Sequence, residues 1–203
     1  SAENLKLHPL VHHTGILARF DEVAPVYGGG AVCSPLSFEI RQGDRIALQG
    51  KNGSGKSSLL KLILGSPIQH TGTLSLASGL IFSYVSQDTS HLCGSLSAYA
   101  RENQIDESLF KALLRKMDFE RVQFEKDMAE FSGGQKKKVL IARSLCESAH
   151  IYIWDEPLNF VDLYSRMQIE QLIREFSPTM LLVEHDQAFR EAVATKTVQI
   201  EGA

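Results

Sequence analysis

The order of hydrophobic and polar positions divides the chain into strand-like and helix-like segments. From Ile16 onward, apolar residues alternate with polar ones or form short runs in ILARFDEV, AVCSPLSFEI and DRIALQG, and Gly or Pro residues separate these segments. Such segments are typical of β-strands. A helical pattern begins at Gly55 and continues through KSSLLKLIL, and two short strands, GTLSL and LIFSYVS, are predicted to follow it.

The second half of the chain is predicted to alternate helices with strands. The stretch from about Ser95 to Glu130 is helical in pattern, since ESLFKALLRKM places apolar residues at i, i+3 and i+4. The remaining predicted elements are the helix SGGQKKKVLIARSL, the strand HIYIWDE, a helix near YSRMQIEQLIREF and the strand TMLLVEH. Antiparallel strands followed by alternating strands and helices indicate an α/β domain with an all-helical insert.

Composition narrows the class of protein. The chain has 43% hydrophobic and 22% charged residues, which is ordinary for one soluble domain. Residues 1–14 show no clear hydrophobic period, and we interpret them as a linker tail before a domain at residues 15–203. A net charge of −3 does not indicate a basic nucleic-acid surface, and no apolar run approaches the ~18–20 residues that span a bilayer. The three widely spaced cysteines, Cys33, Cys93 and Cys146, favour reduced thiols in the cytoplasm.

The segment LQGKNGSGKSS has the spacing of a phosphate-binding loop, G-x-x-x-x-G-K-[ST]. Glycines allow the backbone to wrap closely around a phosphate with its N–H groups pointing inward. A lysine after the last glycine supplies a positive charge to the β- and γ-phosphates, and the hydroxyl that follows binds Mg²⁺. The predicted ATP-binding residues of this loop are Gly50, Lys51, Asn52, Gly53, Ser54, Gly55, Lys56, Ser57 and Ser58.

A pair of carboxylates follows the apolar strand IYIW. Asp155 and Glu156 stand where this strand runs out into solvent. Behind a phosphate loop, Asp155 is expected to reach the Mg²⁺ shell, and Glu156 is expected to polarise the attacking water. General-base assistance of that kind is typically worth about 10²–10⁴ in rate.

Three further side chains occupy positions where a contact with nucleotide is expected. Gln87 follows the strand LIFSYVS and could ligate Mg²⁺, although a surface glutamine is the alternative. His185 ends the strand TMLLVEH and could contact the γ-phosphate or the attacking water; the alternative is a structural histidine. Tyr27, near the first strands, could stack on the base, or it could be a core tyrosine.

A second anion site is predicted where a Ser-Gly-Gly turn begins a long helix. Ser132, Gly133, Gly134 and Gln135 place exposed backbone N–H groups at a helix N-terminus, where the macrodipole favours an anion. Three lysines, residues 136–138, follow directly. We interpret them as a solvated helix face, with contact to nucleic acid as the alternative.

The order of these motifs resembles the nucleotide-binding domain of ATP-binding cassette (ABC) proteins. The motifs are the phosphate loop, the glutamine, SGGQ, the DE pair and the histidine. The resemblance implies a P-loop NTPase cassette with a RecA-like core, an antiparallel β-subdomain and a small helical subdomain at about 94–146. It also implies that ATP and Mg²⁺ bind, with Ser57, Gln87 and Asp155 at the metal and Glu156, His185 and Gln87 in catalysis. In this family two cassettes pair head to tail, so the SGGQ signature binds ATP held by a second cassette.

Two kinds of cassette remain as alternatives. PLNFVDL and GQKKKVLIA resemble the ABC-F family, and in particular the second cassette of its antibiotic-resistance branch. That resemblance implies a soluble ATPase that reaches the ribosome through its parent chain, without membrane insertion, and that serves either antibiotic resistance or ordinary translation. The ATPase subunit of a membrane transporter is the alternative, although transporter signatures commonly read SGGQxQR and the helical insert here is compact.

Overall fold

The computed structural model describes residues 5–202, so residues 1–4 of the predicted linker tail and Ala203 of the predicted domain lie outside it. Two main sheets organise the chain. The first is antiparallel, with strand order β4-β1-β6, and a short two-stranded ribbon of β2 and β3 lies beside it. These strands are β1 (Ile16–Val23), β2 (Val26–Tyr27), β3 (Gly30–Ala31), β4 (Leu36–Arg41) and β6 (Thr73–Leu76).

The second sheet is parallel and forms the centre of the domain. Its order is β10-β5-β9-β8-β7, and every neighbouring pair runs parallel. Parallel order brings the carboxyl ends of all five strands to one edge of the sheet. The strands are β5 (Arg45–Gln49), β7 (Phe82–Val85), β8 (Ile151–Asp155), β9 (Met180–Val183) and β10 (Lys196–Gln199).

Within residues 5–202, six α-helices connect or cover these sheets: α1 (Lys56–Ile63), α2 (Leu96–Glu102), α3 (Glu107–Lys116), α4 (Gly133–Cys146), α5 (Leu163–Phe176) and α6 (Gln187–Val193). The helical stretch predicted up to Glu130 is less regular than expected, since only short 3₁₀ turns follow α3. Asp127 explains part of this difference. Its carboxylate accepts hydrogen bonds from the backbone N–H groups of Gly94 and Ala129, which holds the segment as a loop.

The core has two parts, one on each face of the parallel sheet. Along β8, Ile151 and Ile153 pack with α1 and the antiparallel sheet, whereas Tyr152 and Trp154 pack with the helices on the other side. Successive strand residues point to opposite faces, and both faces are covered here, so β8 is apolar without interruption until Asp155. The mixed α/β architecture with a P-loop cassette fold is as the sequence predicts.

The described part of the N-terminal segment lies on the domain. Leu7 is buried in the core, and the N–H of Leu10 donates to the Ala149 carbonyl at 2.8 Å. The His12 ring hydrogen-bonds the carbonyl of Ser78. Residues 5–14 therefore contact the domain although they form no helix or strand.

Candidate active site

The phosphate loop joins β5 to α1 at the carboxyl edge of the parallel sheet. Gly53 and Gly55 adopt positive φ angles of 82° and 92°, a region that glycine enters without steric cost. A Cβ atom on Gly50 would lie 2.7 Å from Ser54 Oγ and 3.0 Å from the Ile200 carbonyl oxygen. The glycine spacing of the motif is thus required by the backbone path itself.

Lys56 and Ser54 supply the polar side-chain groups of this loop. Lys56 is largely buried, and its Nζ donates to the Gly50 carbonyl at 2.6 Å. Ser54 Oγ is buried and has no hydrogen-bond partner among residues 5–202. The N–H groups of the first turn of α1 lack intrahelical acceptors. A buried ammonium, an unpaired hydroxyl and free N–H groups around one loop suit a phosphate group.

Ser57, Gln87 and Asp155 come together from three different segments. Ser57 Oγ donates to Asp155 Oδ2 at 2.8 Å, and Gln87 Nε2 donates to Asp155 Oδ1 at 3.3 Å. Asp155 is only 2% exposed, and burial raises the pKa of its carboxyl, although the hydrogen bonds from Ser57 and Gln87 oppose that effect. Hydroxyl, amide and carboxylate oxygens are the ligands that Mg²⁺ takes, so this donor set fits the metal.

Glu156 and His185 form a hydrogen-bonded pair beside this cluster. His185 Nε2 lies 2.5 Å from Glu156 Oε1, and the Glu156 N–H donates to the carbonyl of Val183 in β9. Glu156 has a positive φ of 49°, an uncommon angle for a side chain of this kind. The turn directs its carboxylate away from the strand and towards the histidine.

The aromatic position also belongs to this region. The Tyr27 hydroxyl hydrogen-bonds Ser58 Oγ at 2.8 Å, while the residue remains 52% exposed. A cavity of about 330 Å³ has walls that include Tyr27, Lys56, Gln87 and Glu156. An exposed ring at the rim of a phosphate cavity is available for stacking, so Tyr27 is not a core tyrosine.

The signature residues form a separate anion-binding geometry at the start of α4. Ser132 Oγ accepts from the N–H of Gln135, and Gln135 Oε1 accepts from the N–H of Ser132, which is a capping box. Gly134 packs against the backbone of Phe160, where an added Cβ would lie 2.3 Å from the carbonyl oxygen. In the described part of the chain, none of Ser132, Gly133, Gly134 and Gln135 lines the phosphate-loop cavity.

The interpretation of residues 136–138 as a solvated helix face is wrong for two of the three lysines. Lys137 and Lys138 are only 5% and 8% exposed. Lys138 Nζ pairs with Asp162 Oδ1 at 2.7 Å, and Lys137 Nζ donates to the Gln87 carbonyl at 2.7 Å. Because both ammonium groups point into the domain, neither is available to nucleic acid; Lys136 is half-buried.

Sequence reasoning also missed Glu184, which is 6% exposed at the end of β9. Its carboxylate accepts hydrogen bonds from the backbone N–H groups of Leu158, His185 and Asp186. Burial raises the pKa of this carboxyl, and the N–H bonds oppose that effect. The sequence feature that could have indicated this buried carboxylate is an acidic residue next to the apolar run LLV in LLVEH.

No helix within residues 5–202 is long and apolar enough to cross a membrane. Comparison with known proteins places the chain in a family. Residues 33–159, more than half of the chain, match the family described as "ABC transporter".

Individual relatives include proteins of two kinds. The chain is 30% identical to the ribosome protection protein VmlR of Bacillus subtilis over 93% of this chain and 35% of that protein. It is 29% identical to the ATP-binding protein Uup of Caulobacter vibrioides over 87% of this chain and 30% of Uup. The chain therefore spans about a third of the length of these relatives. It is also 27% identical to the ergothioneine transport ATP-binding protein EgtV of Helicobacter pylori, over 91% of this chain and 97% of EgtV.

Solved structures support the same assignment. A structure described as the ATP-binding subunit of an ABC transporter superposes with a TM-score of 0.75 at 26% identity, over 91% of this chain and 86% of that one. The fold, the family match and these relatives agree: the chain is an ATP-binding cassette and belongs to the ABC transporter family.

Proposed function

We propose that this cassette hydrolyses the γ-phosphate bond of ATP in a Mg²⁺-dependent reaction completed by a second cassette. The observation that carries the proposal is the hydrogen-bonded cluster of Ser57, Gln87 and Asp155 beside the phosphate loop, with Glu156 and His185 next to it. These side chains come from separate segments and meet only at this edge of the sheet. Their chemistry is that of phosphoryl transfer.

Each residue has a role that follows from its place. Lys56 and the N–H groups of the loop hold the phosphates, and the ring of Tyr27 stacks on the base. Ser57, Gln87 and Asp155 would hold Mg²⁺, which would neutralise phosphate charge. Glu156 accepts a proton from the attacking water, and His185 orients the Glu156 carboxylate through their hydrogen bond.

The second cassette is required because the two anion-binding geometries of the chain are separate. The signature residues at the start of α4 do not line the phosphate cavity of their own chain. Cassettes of this family work in pairs. We infer that Ser132, Gly133, Gly134 and Gln135 contact the γ-phosphate of ATP held by the partner, in a head-to-tail pair.

Steady-state hydrolysis tests this proposal. We expect the turnover of Mg-ATP by the 203-residue chain on its own to rise with protein concentration, because each of its sites needs the signature of a second cassette. Lys56→Ala should weaken ATP binding about 10- to 100-fold, the typical value of a charge-assisted hydrogen bond. Lys61→Ala, an exposed lysine on the same helix, is the matched control. Turnover per chain that stays constant on dilution would contradict the paired site.

We further propose that the cassette comes from a cytoplasmic ABC-F protein that acts on the ribosome, in the antibiotic-resistance branch. Support comes from the similarity to VmlR, named a ribosome protection protein, and to Uup, together with the segments PLNFVDL and GQKKKVLIA. The alternative is a transporter ATPase. It is favoured by the similarity to EgtV, named a transport ATP-binding protein, and by the structural match to a transporter subunit.

Ribosome co-sedimentation separates the two candidates. The complete gene product is prepared with Glu156→Gln, which should retain ATP uncleaved, and is sedimented with ribosomes with and without ATP. We expect ATP-dependent co-sedimentation that Lys56→Ala abolishes. Absence of ribosome binding, together with a membrane protein that purifies with the chain, would establish the transporter alternative.

A further inference from the structure

Lys137 has an unusual environment for a lysine. It lies in the second turn of α4, the helix that begins with the signature, and its side chain is almost completely buried. The hydrogen bond found for its ammonium group within residues 5–202 is to a backbone oxygen, the carbonyl of Gln87, at 2.7 Å. No carboxylate in this part of the chain lies within ion-pair distance of it. Burying an ammonium group without a carboxylate partner is unfavourable, because the charge loses its hydration without a compensating ion pair.

Lys138, the next residue, is a buried lysine with an ordinary structural role, and it serves as a comparison for Lys137. Its Nζ forms an ion pair with Asp162, which also caps α5. That contact connects two helices and does not reach the phosphate cavity. Lys137, in contrast, contacts the segment that carries Gln87, whose side chain in turn donates to Asp155.

The surrounding charges agree with this placement. Burial lowers the pKa of Lys137, whereas the carboxylates of Asp155, Glu156 and Glu184 oppose that effect. The ammonium is therefore in the field of the acidic groups that line the candidate active site. A positive charge here also reduces the mutual repulsion of these three carboxylates when no metal is bound.

We propose that Lys137 is a positioning residue that links the signature helix to Gln87 and so holds the Gln87 amide against Asp155. The inference rests on the proposed ATPase function and adds a connection within one chain. The N-terminus of α4 faces the partner's nucleotide, and Gln87 faces the chain's own nucleotide. Through Lys137, a displacement of α4 on pairing changes the position of Gln87, so each half-site responds to the other.

Hydrogen–deuterium exchange and kinetics of three variants test the link. Lys137→Met keeps the length of the side chain but removes the donor, Lys137→Gln keeps a donor without the charge, and Lys136→Met is the control on the same helix. In the ligand-free chain, Lys137→Met should increase amide exchange in residues 86–91 while α4 and the sheet keep their protection. In steady-state turnover, Lys137→Met should lower kcat and raise the half-saturating Mg²⁺ concentration, each by roughly 10-fold. That is a usual effect of removing a residue that orients a metal ligand by a hydrogen bond.

The expected order is Lys136→Met equal to wild type, Lys137→Gln intermediate and Lys137→Met most affected. Unchanged exchange in residues 86–91 of Lys137→Met would overturn the proposal, and so would increased exchange along all of α4, which indicates a general packing defect. The Lys137→Gln variant keeps the test decisive if Lys137→Met folds poorly. A wild-type chain that does not hydrolyse ATP would overturn the proposed function as well, whereas wild-type turnover with an unaffected Lys137→Met would overturn only the link.

Discussion

The carboxyl group of Asp155 is almost fully buried at the end of β8, where water cannot solvate its charge. Burial raises the pKa of Asp155, so at neutral pH the folded chain holds this charge less favourably than the unfolded chain does. The proposed function needs the charge for Mg²⁺. At this residue, therefore, the stability of the ligand-free chain and the proposed chemistry oppose each other.

We predict that Asp155→Asn stabilises the ligand-free chain while it abolishes Mg²⁺-dependent turnover. Removal of the buried charge should raise the Tm at neutral pH, by roughly 2–4 °C for each kcal/mol gained in a chain of this size. The gain should shrink as the pH falls towards the ordinary pKa of an aspartate, because the carboxyl then becomes neutral in both states. Thermal unfolding at about pH 7 and about pH 4.5 measures this.

Asp88→Asn is the control variant, for which the expected change in Tm has the opposite sign. Asp88 is exposed, and hydrogen bonds from Ser90 lower the pKa of its carboxyl, so its charge favours the folded state. That variant should lower Tm slightly at neutral pH. Equal changes in Tm for both variants would contradict the burial argument.

At the scale of elements, the start of α4 and the loop before α5 are in direct backbone contact. Gly134 lies against the carbonyl of Phe160, which has a positive φ of 66° and an 87% exposed side chain. The contact joins the signature to the loop that follows Glu156. It leaves no room for a side chain on Gly134.

We predict that Gly134→Ala destabilises the chain by about 1–3 kcal/mol, the usual effect of overpacking, because the Phe160 backbone cannot rotate away as a flexible side chain could. Gly133→Ala is the matched control, since its Cβ would lie 3.4 Å from the Phe160 ring, close to ordinary contact. Urea unfolding compares the two variants. If Gly133→Ala loses as much stability as Gly134→Ala, a disturbed helix cap is responsible and the contact is not, since helix propensity favours alanine over glycine at both positions.

At the scale of the whole molecule, the proposed function gives one chain two half-sites and implies an assembly that depends on nucleotide. Within residues 5–202 the signature residues do not line the phosphate cavity, so under this proposal each half needs its counterpart from a second cassette. Phe160, which contacts Gly133 and Gly134, has an exposed apolar side chain, and so do Leu163 and Tyr164 at the start of α5. An exposed apolar patch of this kind is common at surfaces that a partner covers.

We predict that Glu156→Gln becomes a stable dimer in Mg-ATP, because ATP bound between two cassettes is not cleaved and holds them together. Gel filtration with light scattering should show the mass double when Mg-ATP is added. The combined Glu156→Gln and Lys56→Ala variant should remain monomeric, since it binds ATP weakly. Glu156→Gln that is monomeric at high concentration in saturating Mg-ATP would count against the paired site.

The pattern of apolar and polar residues indicated an α/β domain, and the resemblance to ABC proteins implied the cassette fold. Motif spacing predicted the phosphate loop, the DE pair at the end of β8 and the candidate positions of Gln87 and His185. These features are local: a loop needs glycine where φ is positive, and an apolar strand ends where its first charged residues appear. Parallel strands then carry such strand-end residues to one edge. The roles assigned to these residues are proposals that the described variants test.

Only the tertiary structure decided which polar groups point inward. Residues 136–138 have the composition of an exposed helix face, yet Lys137 and Lys138 are buried and contact the Gln87 carbonyl and the Asp162 carboxylate. Glu184 is buried directly after the apolar strand β9, because its carboxylate accepts hydrogen bonds from three backbone N–H groups, one of them distant in sequence. Burial and partners of a charged side chain depend on contacts between segments far apart in sequence, and a local pattern does not contain that information.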